Sequence, residues 1–200
     1  STNSPWRRLK RRAKPPFERG KVTYYKVFDN KWCCDDFCEA KQYAKIGLGS
    51  NIVSYQYDPD DPATFKGGLS ANFGGNAWQD QPDSRADIIT VYTPVFAENT
   101  FVKGKIKAKL RVKSDREDTC FYMRISLCKT EGDYGLRDDI NQISNFCADY
   151  IPGDELEMTF SFDEHAFVIQ KGEKLRIDIS SADNENFVLK LNYSFHIFQL

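Results

Sequence analysis

The segment Lys105-Ile106-Lys107-Ala108-Lys109-Leu110-Arg111-Val112-Lys113 alternates without a break between cationic and apolar residues. In an extended chain a period of two puts Ile106, Ala108, Leu110 and Val112 on one face and the five cations on the other, which is a half-buried strand with a solvated side. The same period recurs downstream. Phe121, Met123, Ile125 and Leu127 alternate with Tyr122, Arg124 and Ser126. Leu156, Met158, Phe160 and Phe162 alternate with Glu155, Glu157 and Thr159, and Leu175, Ile177 and Ile179 with Lys174, Arg176 and Asp178. Residues 22–28, 52–57, 88–92 and 187–191 are shorter runs of the same kind. Asp-Pro, Gly-Gly, Gly-Asp and Lys-Gly pairs separate them as turn punctuation. After residue 21 only 35–43 offers a helical alternative. Many short antiparallel strands with polar turns predict an all-β fold, a jelly-roll β-sandwich.

The chain has 200 residues, of which 40% are hydrophobic, enough for one large domain with a true core and too apolar for a disordered or collagen-like class. No apolar run approaches the ~18 residues of a membrane span. The basic start has no apolar stretch behind it, so neither a signal peptide nor a membrane is expected, and a cytoplasmic location is. The net charge of -1 is a cancellation. Residues 1–21 hold eight Lys/Arg against Glu18 alone, so the remaining body is acidic. Trp6 and Leu9 at helical spacing, stopped by Pro15-Pro16, suggest that residues 1–20 are a linker or the end of a connecting helix, with the sandwich spanning 21–200. Arg7-Arg8-Leu9-Lys10-Arg11-Arg12 reads as a solvated linker face more readily than as a nucleic-acid arm, because no nucleic-acid fold signature accompanies it.

Candidate chemistry is sparse. Gly68-Leu69-Ser70-Ala71-Asn72 lacks the second glycine of a nucleophile elbow, so Ser70 reads as a loop serine. The two histidines are His165, read as a surface residue at a strand end, and His196, in an aromatic tail with Tyr193, Phe195 and Phe198. Cys33, Cys34 and Cys38 have no second ligand pair to complete a zinc site, and an even count of six with two adjacent cysteines suits reduced thiols. Asp58, Asp60 and Asp61 lack the spacing of a calcium loop and fit an Asp-Pro turn. The expectation is therefore no catalytic residue, no metal and no cofactor.

Several strings taken in order carry a resemblance. Asn30-Lys31-Trp32 follows an aromatic strand; Tyr57-Asp58-Pro59-Asp60-Asp61-Pro62 precedes Gly67-Gly68; Arg85-Ala86-Asp87-Ile88-Ile89-Thr90-Val91-Tyr92 follows Gln81-Pro82. Val102-Lys103-Gly104-Lys105, then Asp118-Thr119-Cys120-Phe121, Pro152-Gly153-Asp154-Glu155 and Gly172-Glu173-Lys174-Leu175-Arg176-Ile177 complete the set. Over about residues 20–190 this resembles the C-terminal domain of the X-prolyl dipeptidyl aminopeptidase and cocaine esterase (CocE/NonD) family of serine hydrolases. Glu173 stands where the family usually has His, and Asn184-Glu185 where it has Phe-Pro.

The resemblance implies a galactose-binding-like jelly roll without catalytic residues. It also implies a triad on a separate α/β-hydrolase domain, which would be the partner, with a shared peptide or ester substrate. In that setting the domain would wall or cap the active site. The loop from Asp58 to Trp78 is the segment expected near the cleft or the domain contact, with Asp58, Phe65, Gly67, Gly68, Phe73 and Trp78 as its candidate residues. Its aromatics are equally consistent with plugging the end of the sandwich. The tail to Leu200 departs from the family pattern, so the expectation is a sandwich lacking its last strand, with an open sheet edge and a homodimerisation hazard. The competing reading is a stand-alone carbohydrate- or ligand-binding jelly roll using exposed aromatics such as Trp32 or Trp78.

Overall fold

The computed structural model describes residues 16–36, 46, 52–68, 75–81, 85–181 and 194–199. Among the described residues ten strands follow in order: β1 (Lys21–Lys26), β2 (Lys31–Asp36), β3 (Ile52–Tyr57), β4 (Ile89–Tyr92), β5 (Thr100–Ser114), β6 (Cys120–Lys129), β7 (Gly132–Gln142), β8 (Leu156–Ile169), β9 (Lys174–Ser180) and β10 (Ser194–Gln199). β3-β10-β5-β8 and β4-β9-β6-β7 form two four-stranded antiparallel sheets. The pairing is nested: β3 with β10, β4 with β9, β5 with β8, β6 with β7. One long hairpin rolled up gives that order, which is the jelly roll the alternation predicted.

The alternation becomes a core. Leu110 and Val112 of β5 meet Met158, Phe160 and Phe162 of β8. Across the sandwich lie Phe121, Met123, Ile125 and Leu127 of β6 with Leu175, Ile177 and Ile179 of β9, all buried in one cluster. The cations of β5 stay outside, where Lys109 pairs with Glu157 at 2.6 Å across the β5–β8 ladder. The hairpin of β1 and β2 is a third, two-stranded layer. It joins β8 through Val27, whose N–H donates to the Ala166 carbonyl at 2.8 Å and whose carbonyl accepts from Val168 at 3.1 Å.

Some expectations change. Asp35 and Asp36 end strand β2, so the helical alternative does not begin there, and residues 37–43 lie outside the described residues. Near the C-terminus, residues 194–199 form β10 between β3 and β5. β7 escaped the alternation because Gly132, Asp133, Gly135, Arg137, Asp138 and Asp139 break its apolar face. The helical spacing of Trp6 and Leu9, and the run 187–191, lie outside the described residues.

Candidate functional site

The largest departure from simple alternation is on β6. Tyr122, Arg124 and Ser126 were expected to face water, and all three are buried. What covers them is the loop from Asp58 onward. It begins with a turn in which the Asp58 carboxylate accepts from the Asp60 N–H at 2.9 Å, the Asx geometry that Asp-Pro sequences favour. Arg85 reaches the Asp61 carboxylate at 3.1 Å and grips Asp87 through two bonds of 2.7 and 3.0 Å. The Asp58 and Asp61 carboxylates are thus spent on the turn and on Arg85.

Phe65 then enters the interior. Its ring lies 4.7 Å from that of Tyr122, and it is 6% exposed. The Arg124 guanidinium sits 5.2 Å from the Phe65 centroid, close enough for a cation–π contact. Arg124 donates from Nη1 to the Lys66 carbonyl at 2.6 Å and to Gln79 Oε1 at 2.8 Å, and from Nη2 to Asp138 at 2.9 Å. Gln79 in turn donates to the Lys66 carbonyl at 2.8 Å, and the Tyr122 hydroxyl donates to Asp138 at 3.0 Å.

A second arginine holds the far end of the loop. Arg176 donates to the Asp80 carbonyl at 2.8 Å, to Asp133 at 2.9 Å and to Asp178 at 2.8 Å. Thr90 donates to the same Asp178 oxygen at 2.6 Å. Burial pushes the Asp178 carboxyl above the usual carboxylate range, against the opposing pull of Arg176. Two arginines on neighbouring strands thereby clamp the loop at Lys66 and at Asp80.

Gly67 and Gly68 have a definite role. Gly68 and Gly75 exchange backbone hydrogen bonds of 2.9 and 2.8 Å, closing the base of the 68–75 excursion. At Gly67, with φ +79°, an added Cβ would lie 2.3 Å from the Gly75 carbonyl oxygen, so only glycine fits. Beyond the excursion the chain runs along β7, with Gly135 N–H donating to the Ala77 carbonyl and Gln79 N–H to the Asp133 carbonyl, both at 2.8 Å. Trp78 therefore projects beside Tyr134, ring centroids 5.1 Å apart. Tyr134 continues to Phe28 at 5.6 Å, and the Lys129 ammonium lies 4.5 Å from the Phe28 centroid. Between the loop and β7 a cleft of about 330 Å3 opens, lined by Lys66, Ala77, Arg124, Leu136, Arg137 and Asp138 among others.

Of the candidates, Phe65, Gly67 and Gly68 come together on β6 and β7, Asp58 stays exposed in the entry turn, and Trp78 lies on the solvent side. Phe73 and Ser70 lie outside the described residues. Arg124, Asp138, Gln79, Arg176 and Asp178 were not singled out by sequence. For Arg124, Arg176 and Asp178 the signal was charge inside otherwise apolar strands.

His165 is not at a strand end. It lies inside β8 opposite Gly104, and both ring nitrogens are enclosed without a hydrogen bond of good geometry among the described residues. Burial, then the Arg137 charge, pull its imidazole below the ordinary value, against a weaker pull from the backbone of Asp163 and Gly104. His196 occupies β10 in register with Tyr55 and Ser114. Cys33 and Cys34 are adjacent on β2, Cys38 lies outside the described residues, and among the described residues no His/Cys/Asp/Glu group suited to a metal ion occurs.

Residues 12–193 match the protein family described as the X-Pro dipeptidyl-peptidase C-terminal non-catalytic domain. This chain belongs to that family. An X-Pro dipeptidyl-peptidase C-terminal domain accounts for the ordered motifs and the rolled sandwich together. Solved structures share the fold. An aminopeptidase from the marine sediment archaeon Thaumarchaeota archaeon is 16% identical with a TM-score of 0.75, the match covering 96% of this chain and 40% of that one. An α-amino acid ester hydrolase is 13% identical with a TM-score of 0.69, covering 90% and 39%. A CocE/NonD family hydrolase from Staphylococcus aureus is 12% identical with a TM-score of 0.57, covering 98% and 40%. The chain thus spans about two fifths of the length of these structures. No curated protein sequence matches it. Among the described residues no helix is long and apolar enough to cross a membrane.

Proposed function

We propose that this domain packs on an α/β-hydrolase catalytic domain of the same parent protein and walls or caps the cleft in which a peptide or ester is hydrolysed. Such a reaction needs a serine nucleophile, a histidine that moves its proton and N–H groups that hold the oxyanion. The one histidine whose side chain is described, His165, is enclosed inside β8 without a hydrogen bond of good geometry, which suits a packing residue better than a base. Membership of a non-catalytic domain family carries the proposal. The clamped loop suits a wall: its backbone is held at Lys66 by Arg124 and at Asp80 by Arg176, and a fixed surface limits substrate size and excludes water without taking part in bond making.

Chromogenic aminoacyl-prolyl anilides and short-chain esters test the reading. The expected result is no turnover by the 200-residue chain and turnover by the parent protein, with the chain removed from the parent changing substrate size preference. Turnover by the isolated chain would overturn it.

A further inference from the structure

We infer that the cleft between the clamped loop and β7 is a binding site for a small zwitterion, a free amino acid or a dipeptide, with Arg137 taking the carboxylate and Asp163 the ammonium. The inference stands apart from the function proposed above and concerns a ligand that this domain holds by itself.

Both sheets contribute to the cleft. The loop supplies Lys66 and Asn76, β6 Arg124, β7 Arg137 and Asp138, and β8 Asp163. β7 and β8 belong to different sheets and meet at this edge, where the Ser161 N–H donates to the Asp139 carboxylate at 2.9 Å. Arg137 stands two residues before Asp139, and Asp163 two residues after Ser161, so each charge reaches the cleft from its own sheet. Arg137 also lies near enough to His165 for its charge to oppose protonation of the imidazole, which sets it beside the stretch of β8 that carries Asp163.

What the other charges do decides the ligand. The Lys66 ammonium is held by Asp80 at 2.6 Å, and the Arg124 guanidinium by Asp138 at 2.9 Å. Arg137 differs. It makes two long hydrogen bonds, both from Nη1, to Asn76 Oδ1 at 3.2 Å and to the Leu136 carbonyl at 3.3 Å, and among the described residues it has no carboxylate at ion-pair distance. Its remaining N–H groups are planar donors of the kind that grip a carboxylate through two bonds. The Asp163 carboxylate likewise carries no hydrogen bond or ion pair among the described residues. One cation and one anion therefore stand open at the same cleft, too far apart to pair with each other. A lone anion on Arg137 would be repelled by Asp138 and Asp163, and a lone cation on Asp163 by Arg137. A molecule with both signs satisfies both ends. Ala77 and Leu136 add apolar surface for its body. A volume of about 330 Å3 is at the low end for a ligand site, which suits an amino acid or a dipeptide. Both charged side chains are exposed, so solvent screens the contacts and the affinity is expected to be modest.

Glycyl-leucine is the probe. It is titrated into the 200-residue chain and followed by two-dimensional amide NMR, beside its N-acetylated form, its C-terminal amide and the form capped at both ends. The expected result is saturable shifts at Asn76, Ala77, Arg137 and Asp138 with the free peptide. Each single cap should weaken binding about tenfold, and the double cap should abolish it. Arg137→Gln should leave the free peptide binding no better than its amide, and Asp163→Asn no better than its N-acetylated form. Both variants should keep the melting temperature of the wild-type chain, since neither side chain is buried. Absence of saturable binding, equal binding of the N-acetylated peptide, or discrimination that survives in either variant would overturn the site. Each of these outcomes leaves the proposed function standing.

Discussion

Arg124 and Asp138 face each other at 2.9 Å on adjacent strands, 3% and 9% exposed, on a side of the sheet that alternation alone assigns to solvent. The pair is the fixed point for the loop, because the same guanidinium holds the Lys66 carbonyl and Gln79. Removing one partner leaves the other charge buried and unsatisfied. Arg124→Ala is therefore expected to cost about 3–5 kcal/mol. The double change Arg124→Leu with Asp138→Leu should cost less than either single, since no lone charge remains. Urea unfolding of the three variants measures this, and a double variant worse than both singles would refute it.

Phe65 separates a plug from a substrate wall. Its ring is buried on Tyr122, so Phe65→Ala should lower stability by about 3–5 kcal/mol, as for other core phenylalanines. If the parent protein hydrolyses substrate as proposed, KM at a temperature where the variant is folded should change little. A large KM effect with unchanged urea midpoint would mean that Phe65 reaches substrate.

The two glycines Gly67 and Gly172 share positive φ but differ in space. An added Cβ meets the Gly75 carbonyl oxygen at 2.3 Å in the first and nothing within 4 Å in the second. Gly172→Ala should cost about 1–2 kcal/mol, the left-handed backbone alone. Gly67→Ala should cost clearly more and break the Gly68–Gly75 bridge. Thermal melts of the two variants side by side give the comparison.

His165 predicts a pH dependence. Its folded value lies below the ordinary 6.5, so between the two values the unfolded chain binds more protons. The groups that set it are Arg137 from β7, Asp163 on its own strand and the Gly104 backbone from β5. The stability that depends on a neutral ring is present in full above about pH 6.5 and is lost as pH falls through and below it. His165→Gln should remove that component. Urea midpoints measured from about pH 7 down to about pH 5 should fall more steeply for the wild-type chain than for the variant, other groups titrating alike in both.

The sequence by itself determined the fold class. Alternation on β5, β6, β8 and β9 names the residues of the core, because in a strand every second side chain must share a face and only one face of these strands could be paired with the apolar residues of another. It also singled out the Asp58–Trp78 loop through its glycines and aromatics, whose turn chemistry is local. Tertiary structure alone decided how that loop is used. Whether Tyr122, Arg124 and Ser126 meet water depends on residues about 60 positions upstream folding back over β6, and period two carries no record of a covering layer. The same holds for β7, where an edge strand completed by Ala77–Gln79 has no need of an apolar stripe, and for Phe28, whose strained backbone makes sense only once Tyr134 and Trp78 are beside it. Local pattern reports which face of a strand is apolar; contacts between distant segments decide which polar face is sealed.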